Sequence, residues 1–170
     1  AGVWKSNLRQ LARQRMDECG WDCDCIRCRE VGMNESTPDT LELEHLEYEA
    51  AGGTEYFVSI EDPDRDLLVG FVRLRFPADP TRRELRGAAI VRELHVYGSE
   101  VGFGDETGPG PAGDDGRKPD VGFQHRGFGT RLMTEAERIA VEAGFETLAV
   151  LSGIGAREYY REQLGYRRDG

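Results

Sequence analysis

The chain has 170 residues, enough for one substantial hydrophobic core plus an appendage but not for several domains. Its 32 Asp and Glu against 22 Lys and Arg give a net charge of −10, which argues against nucleic acid being bound over the whole surface. No apolar stretch approaches the ~20 residues of a membrane span and no signal peptide opens the chain, so no membrane partner is expected.

Of the 22 cations only Lys5 and Lys118 are lysines, and an acidic, arginine-rich surface suits a salt-adapted cytosol. The chain opens on Ala1-Gly2-Val3-Trp4 without an initiator Met and stops at Arg168-Asp169-Gly170, just after an apparent strand start. It therefore reads as a piece of a longer protein. Ser6 is a good N-cap, Leu8, Leu11, Ala12 and Met16 share one face, and Gly20 supplies a C-terminal stop, so the first element is a helix. Lys5, Arg9 and Arg13 line up on it at four-residue intervals, with Arg15 nearby. Such a stripe is either a solvated helix face or a contact for RNA phosphates.

All four cysteines follow at once, between Cys19 and Cys28, too close together for a secreted disulfide framework. A reduced, cytoplasmic setting fits better. Cys23, Cys25 and Cys28 stand in a C-x-C-x-x-C arrangement that a tight turn can fold onto one centre. Soft thiolates select zinc or an iron–sulfur cluster over hard cations, and a structural metal is expected. Cys19 or an outside residue would supply the fourth ligand.

From Thr40 the pattern is antiparallel sheet. Leu41 and Leu43 alternate with Glu42 and Glu44, then the phase shifts to Leu46 and Tyr48, which suggests a bulge. Gly52-Gly53 turns the chain into Thr54–Glu61, and Asp62-Pro63-Asp64 turns it into Leu67–Arg75. A loop with Pro77 and Pro80 leads to the strand Ala89–Tyr97. There Ile90, Leu94 and Val96 form the better buried set, although Arg92 falls on their side in strict alternation. Val91, Glu93, His95 and Tyr97 point the other way. Glu93 and His95 thus share a face, and either could act as a general base if near an acyl donor.

Residues 99–122 hold seven glycines and three prolines without apolar periodicity, an unusually long loop that is either a flap or a mobile insertion. Gln124-His125-Arg126-Gly127-Phe128-Gly129 then opens onto a helical pattern carried by Leu132, Met133, Ala136, Ile139 and Ala140 up to Gly144. A glycine-containing turn at a helix N-terminus presents unpaired N–H groups at the positive end of the dipole, suited to a diphosphate. The P-loop spacing is absent, since no Gly-Lys-Ser/Thr follows. Thr147–Leu151 is a short strand of the buried, parallel kind, broken by Ser152-Gly153-Ile154-Gly155. Ala156 to Leu164 reads as a short helix ending at Gly165. It carries Tyr159 and Tyr160, one of which must leave the apolar face and could protonate a departing thiolate.

The Gln-x-x-Gly-x-Gly spacing resembles the pyrophosphate loop of GNAT-superfamily acetyltransferases, and the order of parts resembles that fold over roughly Leu41–Arg168. The fold implied is α+β: a mixed, mostly antiparallel sheet flanked by helices. Residues 1–39 would form an N-terminal helix and Cys-rich zinc-binding linker, and 40–170 the acetyl-CoA-binding domain. The strands before and after the glycine-opened helix would splay apart. Backbone N–H groups near Leu94, His95 and Val96 would polarise the thioester there, as an oxyanion hole does.

The resemblance narrows through residues 25–32, 91–98, 124–129, Tyr159-Tyr160-Arg161 and Leu164-Gly165-Tyr166, which look like the Elongator protein 3 family. That family joins a radical S-adenosylmethionine domain to an acetyltransferase domain through a zinc-binding cysteine segment. It modifies C5 of the wobble uridine of tRNA with acetyl-CoA as carbon source. The resemblance implies zinc on Cys23, Cys25 and Cys28, without support for Cys19. It also implies a diphosphate loop of Gln124, Arg126, Gly127, Phe128, Gly129 and Thr130, with His125 inside it. Tyr159 and Tyr160 would meet the thioester end, with Glu93 or His95 near the acetyl group.

The cluster-binding C-x-x-x-x-C-x-x-C signature is missing. S-adenosylmethionine and a 4Fe-4S cluster would therefore belong to the radical domain outside this chain, and the chain alone should bind acetyl-CoA without modifying uridine. Implied partners are the tRNA anticodon region (through Lys5, Arg9 and Arg13), the radical domain, and other Elongator subunits only in a eukaryote. Two other readings stay open: an autonomous histone-type lysine acetyltransferase using Glu93, and a zinc-stapled docking domain with a vestigial acetyl site.

Overall fold

A computed structural model describes residues 7–31, 38–97 and 127–168. Ser6 and Lys5, the 99–122 loop, and Gln124, His125 and Arg126 lie outside the described residues. In chain order the elements are α1 (Leu8–Cys19), α2 (Ile26–Arg29), β1 (Glu42–Glu49), β2 (Gly53–Asp62), β3 (Leu67–Pro77), β4 (Ala88–Val96), α3 (Phe128–Glu142), β5 (Thr147–Val150) and α4 (Arg157–Glu162). The strands form one sheet in the order β1-β2-β3-β4-β5, antiparallel except for the parallel β4–β5 pair that α3 connects.

The meander is closed by its turns. Ala51 and Gly52 both take positive φ (47° and 70°), and Ala50 and Gly53 exchange both backbone hydrogen bonds, a two-residue hairpin whose twist suits the flanking strands. The turn thus sits one residue before the expected Gly52-Gly53. Gly53 belongs to the strand, where a Cβ would come within 2.5 Å of the Phe76 carbonyl oxygen. At the β2–β3 turn the fully buried Asp62 accepts from the backbone N–H of Asp39 (2.7 Å) and of Arg65 (3.1 Å).

The bulge expected in β1 is absent. Its pairing with β2 is continuous from Glu42↔Glu61 to Glu49↔Thr54. The phase shift arises because β1 is an edge strand with both faces in use: Leu43 packs toward the core, Leu46 is 59% exposed, and Tyr48 turns to the far face. The irregularities lie instead between Ile60 and Glu61 on β2 and between Arg73 and Leu74 on β3. The second resolves the uneven register of β4. Leu74 opposes Val91 and Arg73 opposes Glu93, so Arg92 is the extra residue. Val91, rather than Ile90, therefore joins Leu94 and Val96 on the core face. Ile90 is buried on the other face, beside Arg75.

The core lies between that face and α3, which buries Leu132, Met133, Ala136, Ile139 and Ala140 at helical spacing against β2, β3 and β4. Each large side chain so covered contributes about 1.5–3 kcal/mol. The α1 helix forms with Asn7, not Ser6, as its N-cap and stops at Gly20 in the left-handed conformation, but it buries none of its residues and Leu8 is 63% exposed.

On the opposite face one carboxylate gathers four strands. Glu55 of β2, 1% exposed, accepts from Tyr48 of β1 (3.0 Å), Arg73 and Arg75 of β3 (3.1 and 2.8 Å) and Arg92 of β4. Burial pushes its carboxyl up, but the hydrogen bonds from Arg75, Tyr48 and Arg92 outweigh this and hold it down at about 2. Glu135 on α3 is likewise held at about 2, first by Arg138, against burial, and with help from His45. Both groups bind fewer protons folded than unfolded. Their stabilisation is therefore complete above the ordinary carboxylate value of 4.5 and is lost as pH falls toward 2. In urea unfolding, stability should be level above about pH 5 and decline below it. Glu55→Gln should flatten that decline while costing roughly 3 kcal/mol or more at neutral pH, because Arg73, Arg75 and Arg92 lose their shared, buried counter-charge.

Candidate active site

Three elements meet where β4 and β5 separate. The parallel pairing runs from Ala88↔Thr147 to Val91↔Val150, and the Leu151 amide closes it on the Val91 carbonyl at 3.0 Å. Among the described residues, β4 continues beyond that point against β3 alone, to Val96↔Gly70. The pairing of β4 with β5 ends at Val91, leaving an opening beside the Arg92 bulge. At its mouth stands the N-terminus of α3. Gly127 is its N-cap in the left-handed conformation (φ 75°), and no side chain among the described residues caps the first turn. The first-turn amides of a helix have no intrahelical acceptor, so they and the dipole favour an anion.

A Cβ on Gly129 would lie 2.5 Å from the Tyr159 hydroxyl and 3.9 Å from Val96 Cγ2, so β4, α3 and α4 converge within one side chain's reach. The two tyrosines separate as adjacency on a helix requires. Tyr160 is buried in the core, edge-on to Tyr159 and Tyr166, and burial pushes it up to about 12. Tyr159 is half-buried at the α3 N-terminus. Burial raises it, partly offset by a hydrogen bond with Thr130. It stays a phenol at neutral pH, with a proton to give.

Leu94 and Val96 face the core side, toward α3, whereas Glu93, His95 and Tyr97 lie on the other face of the same half-strand. Glu93 is 46% exposed, with Arg73 at 3.8 Å. The exposed His95 stacks near Phe71 (6.1 Å between centroids) and Tyr97 (4.4 Å). The structure therefore brings together Gly127, Phe128, Gly129, Thr130, Tyr159 and Val96, and sets Glu93 and His95 across the strand from them. Tyr160 is not at the opening.

The thiols of Cys23, Cys25 and Cys28 lie within 4.8 Å of one another, and Cys19 is not among them. The Cys25 thiol is lowered to about 7 by hydrogen bonds, first from Cys23 and then from Cys28. Cys28 is raised to about 11, chiefly by Cys25. Three thiols this close together are a donor set suited to a soft cation. Arg9, one of the candidate RNA contacts, instead points a guanidinium at Cys28 Sγ (3.8 Å). The segment is fastened to the sheet: Arg29 pairs with Glu61 and Asp66, Glu30 bridges Leu68, and Val31 enters the core.

Sequence reasoning missed the Glu55 cluster; its one signal was Arg92 standing among apolar residues. A second groove, lined by His45, Tyr56, Arg138 and Glu142, lies beside the other end of α3. Its charges are paired internally, His45 with Glu135 and Arg138 with Glu135 and Glu142.

A sequence profile of the Acetyltransferase (GNAT) family matches residues 120–166. Elongator complex protein 3 of Drosophila melanogaster is 49% identical across 100% of this chain, and the human protein of the same name 48% across 100%. The tRNA uridine(34) acetyltransferase of Methanocaldococcus infernus is 44% identical across 99%. The chain spans 30–31% of the length of these curated relatives. A solved structure of the archaeal M. infernus Elp3 with an N-terminal deletion superposes with a TM-score of 0.81 at 44% identity, covering 99% of this chain and 39% of that one. The mixed sheet, the glycine-opened helix, the profile and the superposition show a GNAT-type fold. Within that fold class the chain is homologous from end to end to a stretch that makes up 30% of Elongator complex protein 3.

The contact at Gly129 can be checked directly. A glycine-to-alanine change within a helix normally stabilises it, by about 1 kcal/mol. Here Gly129→Ala should lower the melting temperature, because its Cβ displaces the Tyr159 hydroxyl. Adding Tyr159→Phe should recover most of the loss, since the nearest remaining ring atom is 3.5 Å away. Additive losses would show that the two residues do not touch.

Proposed function

We propose that this chain is the acetyl-CoA-binding unit of an enzyme that modifies the wobble uridine of tRNA, cleaving the thioester when RNA is engaged. The observation that carries this reading is the convergence of β4, the α3 N-terminus and Tyr159 at the opening of the splay. The diphosphate would lie on the first turn of α3, at Gly127, Phe128, Gly129 and Thr130, with Gln124, His125 and Arg126 completing the loop. The acyl arm would enter between β4 and β5, its carbonyl polarised by backbone N–H groups of Leu94, His95 and Val96. Tyr159 would protonate the departing thiolate, with water or the acceptor completing the acyl transfer. Glu93 and His95 lie on the strand face from which an acceptor would approach.

The thiols of Cys23, Cys25 and Cys28 would hold zinc. The ion would supply structural cross-linking of the segment that Arg29 and Val31 anchor to the sheet. By likeness to the Elongator protein 3 relatives, a radical domain with its S-adenosylmethionine and iron–sulfur cluster, RNA contacts at Lys5, Arg9 and Arg13, and a cytoplasmic setting complete the reading. A lysine acetyltransferase is the second reading, favoured by Glu93 standing exposed on the open face.

The deciding assay is acetyl-CoA cleavage by the full-length protein, with and without tRNA and with a lysine peptide as competing acceptor. Cleavage stimulated by tRNA without peptide acetylation is expected; peptide acetylation indifferent to tRNA would overturn the reading. Tyr159→Phe should lower kcat on the order of 100-fold with little change in KM. Elemental analysis should find about one zinc per chain, lost in Cys25→Ser.

A further inference from the structure

Among the described residues, β4 is bonded on both sides only as far as Val91, the last residue paired with β5. The next residue, Arg92, is the one omitted from the ladder with β3. An extra residue bends its strand and raises the local twist, so the bulge and the parting of the strands occur at one point. A bulged residue has no cross-strand partner to hold it, and here a side chain does that work. Arg92 reaches past β3 to Glu55 on β2. Glu55 is itself held by Arg75, Arg73 and Tyr48, and its side chain is 2% exposed. The anchor is therefore stiff, and it acts on the strand just before Leu94–Val96.

We infer that Glu55, acting through Arg92, is a positioning pair that fixes the bend of β4 and holds the Leu94–Val96 backbone where it polarises the acyl carbonyl. The inference rests on the acyl-donor reading above. Neither side chain touches the donor: both lie on the sheet face away from α3. Their effect is on the strand between them and the splay.

The test is placed on Arg92, which is 43% exposed and whose removal leaves Glu55 its bonds to Arg73, Arg75 and Tyr48. Full-length wild type, Arg92→Ala and Arg92→Lys would be compared in three measurements. These are kcat for acetyl-CoA cleavage, the Kd of CoA, and the infrared frequency of the isotope-labelled acetyl carbonyl in bound acetyl-CoA. In Arg92→Ala, kcat should fall between about tenfold and 100-fold. The carbonyl band should move back toward its frequency in free acetyl-CoA while CoA affinity is unchanged. Arg92→Lys, which keeps a charged donor for Glu55, should recover part of both. An unmoved band and unchanged kcat, with acetyl-CoA still bound by the wild type, would overturn the inference alone. So would a defect confined to RNA affinity and shrinking with salt, which would make Arg92 an RNA contact instead. Failure of the wild type to bind acetyl-CoA would remove the acyl-donor reading and this inference with it.

Discussion

A carboxylate shut off from water is costly unless every oxygen is matched by a donor, and Glu55 is matched by four. Those donors come from β1, β3 and β4, so one ionised group on β2 fixes the lateral alignment of four strands. A one-residue slip of any of them would move its donor to the other face of the sheet and leave the charge short. The cluster lies away from α3, outside the main apolar core, and supplements that core with directional contacts. The sheet's most irregular point, the Arg92 bulge, is also where this cluster grips it.

Because β4 alternates sides, it divides the chemistry of the unit. Its core side carries Leu94 and Val96 toward α3 and the opening where Gly129 and Tyr159 meet. Its other side carries Glu93, His95 and Tyr97. The cysteine segment reaches the same end of the sheet. Glu30 bridges Leu68 while the Tyr97 amide donates to the Val69 carbonyl, one residue along β3. Burial raises the Tyr97 phenol, and the charge of Glu30 adds to that effect. The cysteine segment and the free end of β4 are thus neighbours, joined through β3.

The arginine-rich, lysine-poor composition also has a structural use. Arg29, Arg65, Arg73, Arg75, Arg92 and Arg138 each pair with at least one carboxylate. Arg29 and Arg138 each use more than one nitrogen to engage two carboxylates, and Arg73 also meets a phenol. A planar guanidinium with five fixed donors can bridge several acceptors in this way, whereas an ammonium acts as a single point charge. Among the described residues, these six of the chain's 22 cations are therefore held within the fold by carboxylates.

The elements with a local signature were legible in the amino-acid order. They include the periodicity of α3, the strands of the meander, the glycine-opened turn before Phe128 and the C-x-C-x-x-C thiols. Helical and alternating patterns, turn residues and short metal spacings are properties of neighbouring residues, so they can be read along the chain. Only the folded structure decided which of Ile90 and Val91 joins the core with α3. Only the fold placed Tyr159 at the opening and Tyr160 beneath it, and made Glu55 the partner of a residue 37 positions away. Each of these depends on cross-strand register and on one bulge. Moving a register by a single residue exchanges the faces of everything that follows, and it leaves the local pattern almost unchanged.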